Sequence, residues 1–170
     1  RDTLEPFRGT PKRDLILFPH RIAPEKQPKI FDDLQQSMPE YEFIMCQLEQ
    51  LRKPEYHKLL AEAKIVFSAN LQETLGISAY EGAIVDTFPL VPDRLSYTEM
   101  YPDEFKYPSE WTESWDSYLK HKDKLIEHIR FIMQGPTEQS LKQLQALTNS
   151  LTDNFFSATK MIEVIKSYGK

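Results

Sequence analysis

The chain has 170 residues, a length that suits one domain able to bury a core without disulfides or metals to staple it. With 40% hydrophobic and 28% charged residues it reads as a globular domain and not as a disordered or low-complexity segment. A formal net charge of -5 and a pI near 5.4 argue against a nucleic-acid groove, which needs a basic face, but leave room for a local basic cluster at a phosphate.

Residues 1–13 are polar and carry Pro6 and Pro11, so they read as a linker leading into a domain over 14–170. Residues 14–19 form a short continuous apolar run, as expected of a strand buried on both faces of a parallel sheet. A helix follows over 26–38, with Ile30, Phe31 and Leu34 on one face and Pro28 in its first turn. Residues 41–46 read as a second strand. Residues 54–63 read as a second helix with Tyr56, Leu59 and Leu60 inward. A third strand spans 64–68, a third helix 74–85 (Leu75, Ala79 and Ala83 on its apolar side), and a fourth strand 88–92, its prolines marking its ends. The Tyr-, Pro- and acid-rich segment 93–115 reads as an irregular loop with one short strand. Helices are expected over 114–134, from Pro136, and over 155–168; in the first, Trp115, Tyr118, Leu119, Leu125, Ile126, Ile129 and Phe131 are the apolar positions. Alternating strands and helices with short connections predict an α/β fold: a Rossmann-like, doubly wound parallel sheet with C-terminal helices.

The lone Cys46 sits in an apolar strand, which makes it a core residue, excludes a disulfide framework and points to a reducing, cytoplasmic setting. No apolar run approaches the roughly 18 residues of a membrane span, and no signal peptide is visible. His57, His121 and His128 lie in helices without metal-ligand spacing, so no metal site is expected. Asn70 reads as a helix cap. Trp111, Trp115, Tyr97 and Tyr101 read as packing residues, and Asp86 and Asp93 as helix-end and turn residues.

Ligands on such sheets bind outside the carboxyl ends of the strands. Two clusters fall there. Arg21 and Lys26 stand five apart after the first strand, beside His20; they are either a clamp for a diphosphate or two solvated surface cations. Glu73 and Glu81 stand eight apart after the third strand, with Gly76 between them at a helix start. They are either acceptors for sugar hydroxyls, with free amides near a phosphate, or a helix-end carboxylate and a surface residue.

The combination Arg21-Ile22-Ala23-Pro24-Glu25-Lys26, then Glu73-Thr74-Leu75-Gly76 with Tyr80-Glu81-Gly82, then Thr87-Phe88-Pro89-Leu90-Val91, resembles the C-terminal domain of the retaining, GT-B-fold glycosyltransferases of family 4 (group 1). The stretches 18–21 and 90–102 are similar to its tRNA-queuosine mannosyltransferase-like branch. The resemblance implies that Arg21 and Lys26 hold the donor diphosphate, Glu81 binds the ribose and Glu73 contacts the donor sugar. Gly76 and Ile77 would present amides near the phosphates. His20, beside Arg21, is either a ligand-facing residue or a loop histidine that simply packs. The substrate implied is a UDP- or GDP-sugar, with no metal or other cofactor. The partner implied is an N-terminal Rossmann-like domain, without which this half would be inactive. The acceptor stays open between a tRNA nucleoside and a lipid, glycan or small molecule. Other readings are an idle nucleotide-binding module and a sugar-nucleotide epimerase. The sequence departs from the family at His20 and Gly82, where glycine and alanine are usual, and at Thr74-Leu75.

Overall fold

The computed structural model describes residues 3–156. Five parallel strands form one sheet: β1 (Leu15–Phe18), β2 (Glu42–Met45), β3 (Ile65–Phe67), β4 (Phe88–Pro92) and β5 (Lys106–Tyr107). Their spatial order is β2-β1-β3-β4-β5. Between them run α1 (Pro28–Ser37), α2 (Lys53–Glu62), α3 (Ile77–Ile84) and the short α4 (Tyr97–Met100); α5 (Trp115–Met133) and α6 (Glu138–Leu151) follow. The expected α/β fold is therefore present. The helix expected over 155–168 lies outside the described residues, apart from Phe155 and Phe156 in a closing turn.

Because the central strands β1, β3 and β4 are covered on both faces, alternate residues enter different cores. Leu15 and Leu17 join Val66 and Val91 beneath α2, α3 and α6. Ile16 and Phe18 join Ile65, Phe67 and Leu90 beneath α1 and α5. Both prolines of β4 fit its register. The β3 ladder ends at Leu90 and the β5 ladder begins at Val91, so neither Pro89 nor Pro92 removes a ladder bond.

Several boundaries differ from the sequence reading. The first helix begins at Pro28, not 26, because the residue before a proline is disfavoured in helical backbone: Gln27 takes φ 53°, and Pro24–Lys26 form a separate 3-10 turn. The third begins at Ile77, after Gly76 at φ 64°. On α5 the buried stripe is Tyr118, Leu125, Ile126, Ile129 and Met133. Leu119 and Phe131 fall off its phase and are 50% and 70% exposed. Segment 93–115 holds its one short strand but also α4 and two 3-10 turns. Residues 3–13, read as a linker, lie against the domain. Leu4 is in the core, and Lys12 Nζ donates to Val85 O (2.8 Å) and Thr87 Oγ1 (2.7 Å).

Gly82 explains one departure from the family pattern. A Cβ there would stand 2.8 Å from Val66 Cγ2, on a stiff β-branched side chain buried in β3. Gly82→Ala is expected to destabilise the fold by about 1–3 kcal/mol through overpacking. Urea unfolding checks this, and an unchanged midpoint would refute it.

Candidate functional site

The strand order places a switch point between β1 and β3, where the crossovers diverge and a crevice opens at the carboxyl ends. The chain leaving β3 is buried there but has left the ladder, so its carbonyls need partners from elsewhere. Side chains supply all of them. His20 Nε2 donates to Phe67 O at 2.9 Å. Tyr107 Oη donates to Ser68 O at 2.5 Å. Gln27 Nε2 and Arg94 Nη2 donate to Ala69 O at 2.7 and 2.9 Å. Arg94 Nε donates to Asn70 O at 2.9 Å. Arg94 also reaches Ser109 O and Thr112 O, which ties the loop after β4 to the same segment.

This rigid stretch delivers Asn70 and Glu73. Asn70 is fully buried, and its Nδ2 donates to Tyr97 Oη at 3.2 Å and to Glu73 Oε2 at 3.0 Å. Expected as a helix cap, Asn70 instead anchors a carboxylate; the N-cap of α3 is Gly76, with no side-chain cap bond. Lys26 Nζ, brought from the loop after β1, donates to the same Glu73 oxygen at 3.3 Å and to Gln72 O at 3.0 Å. Their side chains are only 13% and 20% exposed, so the attraction is less screened than in a surface pair. His20 lies beside them. Burial pulls its imidazole down to about 4, with Lys26 lowering and the Phe67 carbonyl and Glu73 raising it.

Gly76 meets its left-handed requirement beside the Tyr97 ring, whose Cε1 would lie 2.9 Å from a Cβ at that position. The first turn of α3 starts there with no side-chain cap, and Ile77 is exposed. Tyr97 and Tyr101 are buried, as expected of packing residues.

Glu81 sits one pocket away. A cavity of about 340 Å³ is lined by Pro19, Gln47, Gln50, Tyr56, Ser78 and Glu81, with Cys46 and Leu51 in its wall. Burial pushes the Glu81 carboxyl above its ordinary range, against the pull of Lys53. His57 Nε2 is 3.8 Å from Glu81 Oε2, beyond hydrogen-bond reach. Pro19 joins this pocket to the loop that carries His20 and Lys26. Arg21 stands apart from the cluster, its side chain 72% exposed and paired with Glu25. The structure thus gathers His20, Lys26 and Glu73, sets Gly76 and Ile77 at the start of the helix that follows Glu73, puts Glu81 in a separate pocket that reaches the His20 loop at Pro19, and leaves Arg21 exposed outside the cluster. Among the described residues, no three His, Cys, Asp or Glu side chains gather as a metal site needs, and no helix is long and apolar enough to cross a membrane.

No family model matches the chain. A crystal structure of the C-terminal domain of a glycosyl transferase group 1 family protein from Francisella tularensis is similar, with a TM-score of 0.55 and 15% identity over 85% of this chain and 87% of that one. This chain has the fold of a GT-B glycosyltransferase C-terminal domain. A tRNA-queuosine alpha-mannosyltransferase from Drosophila melanogaster is 24% identical over 174 residues, covering 81% of this chain and 46% of that protein. The chain therefore spans about half the length of the curated relative it matches and is related, at low identity, to a glycosyltransferase.

Within this GT-B-type domain the burial of Glu81 has a measurable consequence. Its pKa is raised on folding, so its contribution to stability is present below the unfolded value and is lost as pH rises through the folded one. Glu81→Gln is expected to raise the denaturant midpoint at pH 7, an advantage that disappears below about pH 4. A variant no more stable than the parent at pH 7 would contradict the upward push of burial on Glu81.

Proposed function

We propose that this chain is the donor-binding half of a retaining glycosyltransferase, which binds a nucleotide-diphosphate sugar for transfer of its glycosyl group to an acceptor. The observation that carries this reading is the meeting of Lys26 and Glu73, 47 residues apart in sequence, at the switch point beside the uncapped start of α3.

Each group has a task that its geometry suits. Lys26 holds its ammonium over the loop of residues 70–73 and can exchange the Gln72 carbonyl for a phosphate oxygen. Arg21, long and exposed, swings from Glu25 to give its planar fork to the diphosphate. The amides at Gly76 and Ile77 add fixed partial positive charge. As the glycosyl bond breaks, negative charge grows on the leaving diphosphate, and donors already aimed at it lower the barrier without a metal. Glu73, fixed by Asn70, accepts hydroxyls of the sugar, and Glu81 accepts the ribose hydroxyls in the adjoining pocket.

The acceptor would be held by a preceding Rossmann-like half, as in other two-domain GT-B enzymes, so this half alone would bind donor but not turn it over. Similarity to the queuosine mannosyltransferase supports a tRNA nucleoside as the acceptor, and the donor is a UDP- or GDP-sugar. With a net charge of -5, the tRNA contacts would come from the other half.

Calorimetric titration with UDP and GDP tests this directly. One nucleotide is expected to bind, and Lys26→Ala and Glu81→Ala should each weaken it by roughly tenfold to a hundredfold, the range for hydrogen bonds to charged groups. Binding that survives both substitutions unchanged would remove the donor-site reading.

A further inference from the structure

The contact between His20 and Phe67 fixes more than the position of the imidazole. A backbone carbonyl can only accept, so the ring nitrogen facing Phe67 O at 2.9 Å, Nε2, carries the hydrogen. Burial disfavours a second proton, with the ring pulled down to about 4. The neutral imidazole is therefore the Nε2–H tautomer, and Nδ1 is a bare acceptor. Nδ1 has no hydrogen-bond partner among the described residues and is not sealed from solvent, although the residue is only 7% exposed. The ring is also locked edge-on against Phe18, with centroids 4.9 Å apart, so it cannot turn to change roles cheaply.

An acceptor at this place discriminates between the parts of a donor. The oxygens of an ionised diphosphate only accept, and they have no hydrogen to offer Nδ1. A sugar hydroxyl does. Resting on the donor-site reading above, we propose that His20 is a specificity-determining residue whose Nδ1 accepts a hydrogen bond from a hydroxyl of the transferred hexose. It selects sugars that carry a hydroxyl at that position and takes no part in holding phosphate or in donating a proton. Lys26 and Glu73, a bonded pair that both act on this imidazole, set it beside the cation proposed for phosphate and the carboxylate proposed for the sugar.

Two measurements test this. In ¹⁵N-labelled chain, long-range imidazole correlations are expected to show Nε2–H for His20 from pH 5.5 to 8 and an Nδ1 resonance that moves on adding whichever of UDP-glucose and GDP-mannose binds. An Nδ1–H tautomer, or protonation near pH 6.5, would overturn the proposal without touching the donor site. By calorimetry, His20→Phe keeps the ring contact with Phe18 but should lose about fivefold in affinity for the nucleotide sugar while leaving the bare nucleotide diphosphate unaffected. His20→Gln, whose amide can serve Phe67 and still offer an oxygen, should recover part of that loss. Equal losses for sugar-bearing and bare nucleotides would overturn the proposal. Failure of the folded wild-type chain to bind any of these nucleotides would overturn the donor-site reading and this inference with it.

Discussion

The segment leaving β3 is the constraint around which the rest of the domain is arranged. From Phe67, which still pairs with Leu90, to Asn70 the chain is buried as it leaves the ladder, and each of the four carbonyls is met by a side chain from His20, Tyr107, Gln27 or Arg94. Leaving buried carbonyls unmet would cost about 1–3 kcal/mol each. This requirement gives a role to the segment between β4 and α5. Arg94, Tyr97, Tyr107 and Thr112 converge from it onto one short stretch, and Gln27, held in left-handed backbone before Pro28, joins them from the other side.

The site inherits its rigidity from that arrangement. Asn70 is fixed before it reaches for Glu73, and Glu73 is fixed before Lys26 reaches for it, so the charged pair needs little ordering when a ligand arrives. Glu81 is held differently. It lines a pocket with burial against it and, among the described residues, no cation within hydrogen-bond reach. Arg21 is held least, 72% exposed and paired only with Glu25 on its own loop.

Much of this was legible in the sequence because strands buried on both faces leave unbroken apolar runs: 14–19, 41–46 and 64–68 each contain an observed strand. Composition and spacing also place His20, Lys26 and Glu73 on neighbouring loops. What was not legible depends on contacts between distant residues. Nothing local distinguishes Arg94 from a surface arginine, since its partners lie at 69–70 and 109–112. Asn70 looked like a cap because asparagine before a helix usually is one; the Asn-x-x-Glu spacing that lets it hold Glu73 carries no meaning until Tyr97 fixes its amide. Leu119 and Phe131 stand among the apolar positions of α5 in the sequence yet are exposed, because apolar content is visible before helical phase is known.

The sheet has two very different ends. At the carboxyl end lie the loops of His20, Lys26, Glu73 and Glu81. At the amino end a mostly apolar cavity of about 320 Å³ is lined by Phe88, His128, Phe131, Ile132 and Pro136. Mapping backbone amide shifts by NMR while titrating GDP and UDP separates them in one experiment. The account predicts perturbations concentrated over 19–26, 46–50 and 70–81, with the amino end silent. Shifts concentrated around 128–144, with the loops of Lys26 and Glu73 unmoved, would contradict it.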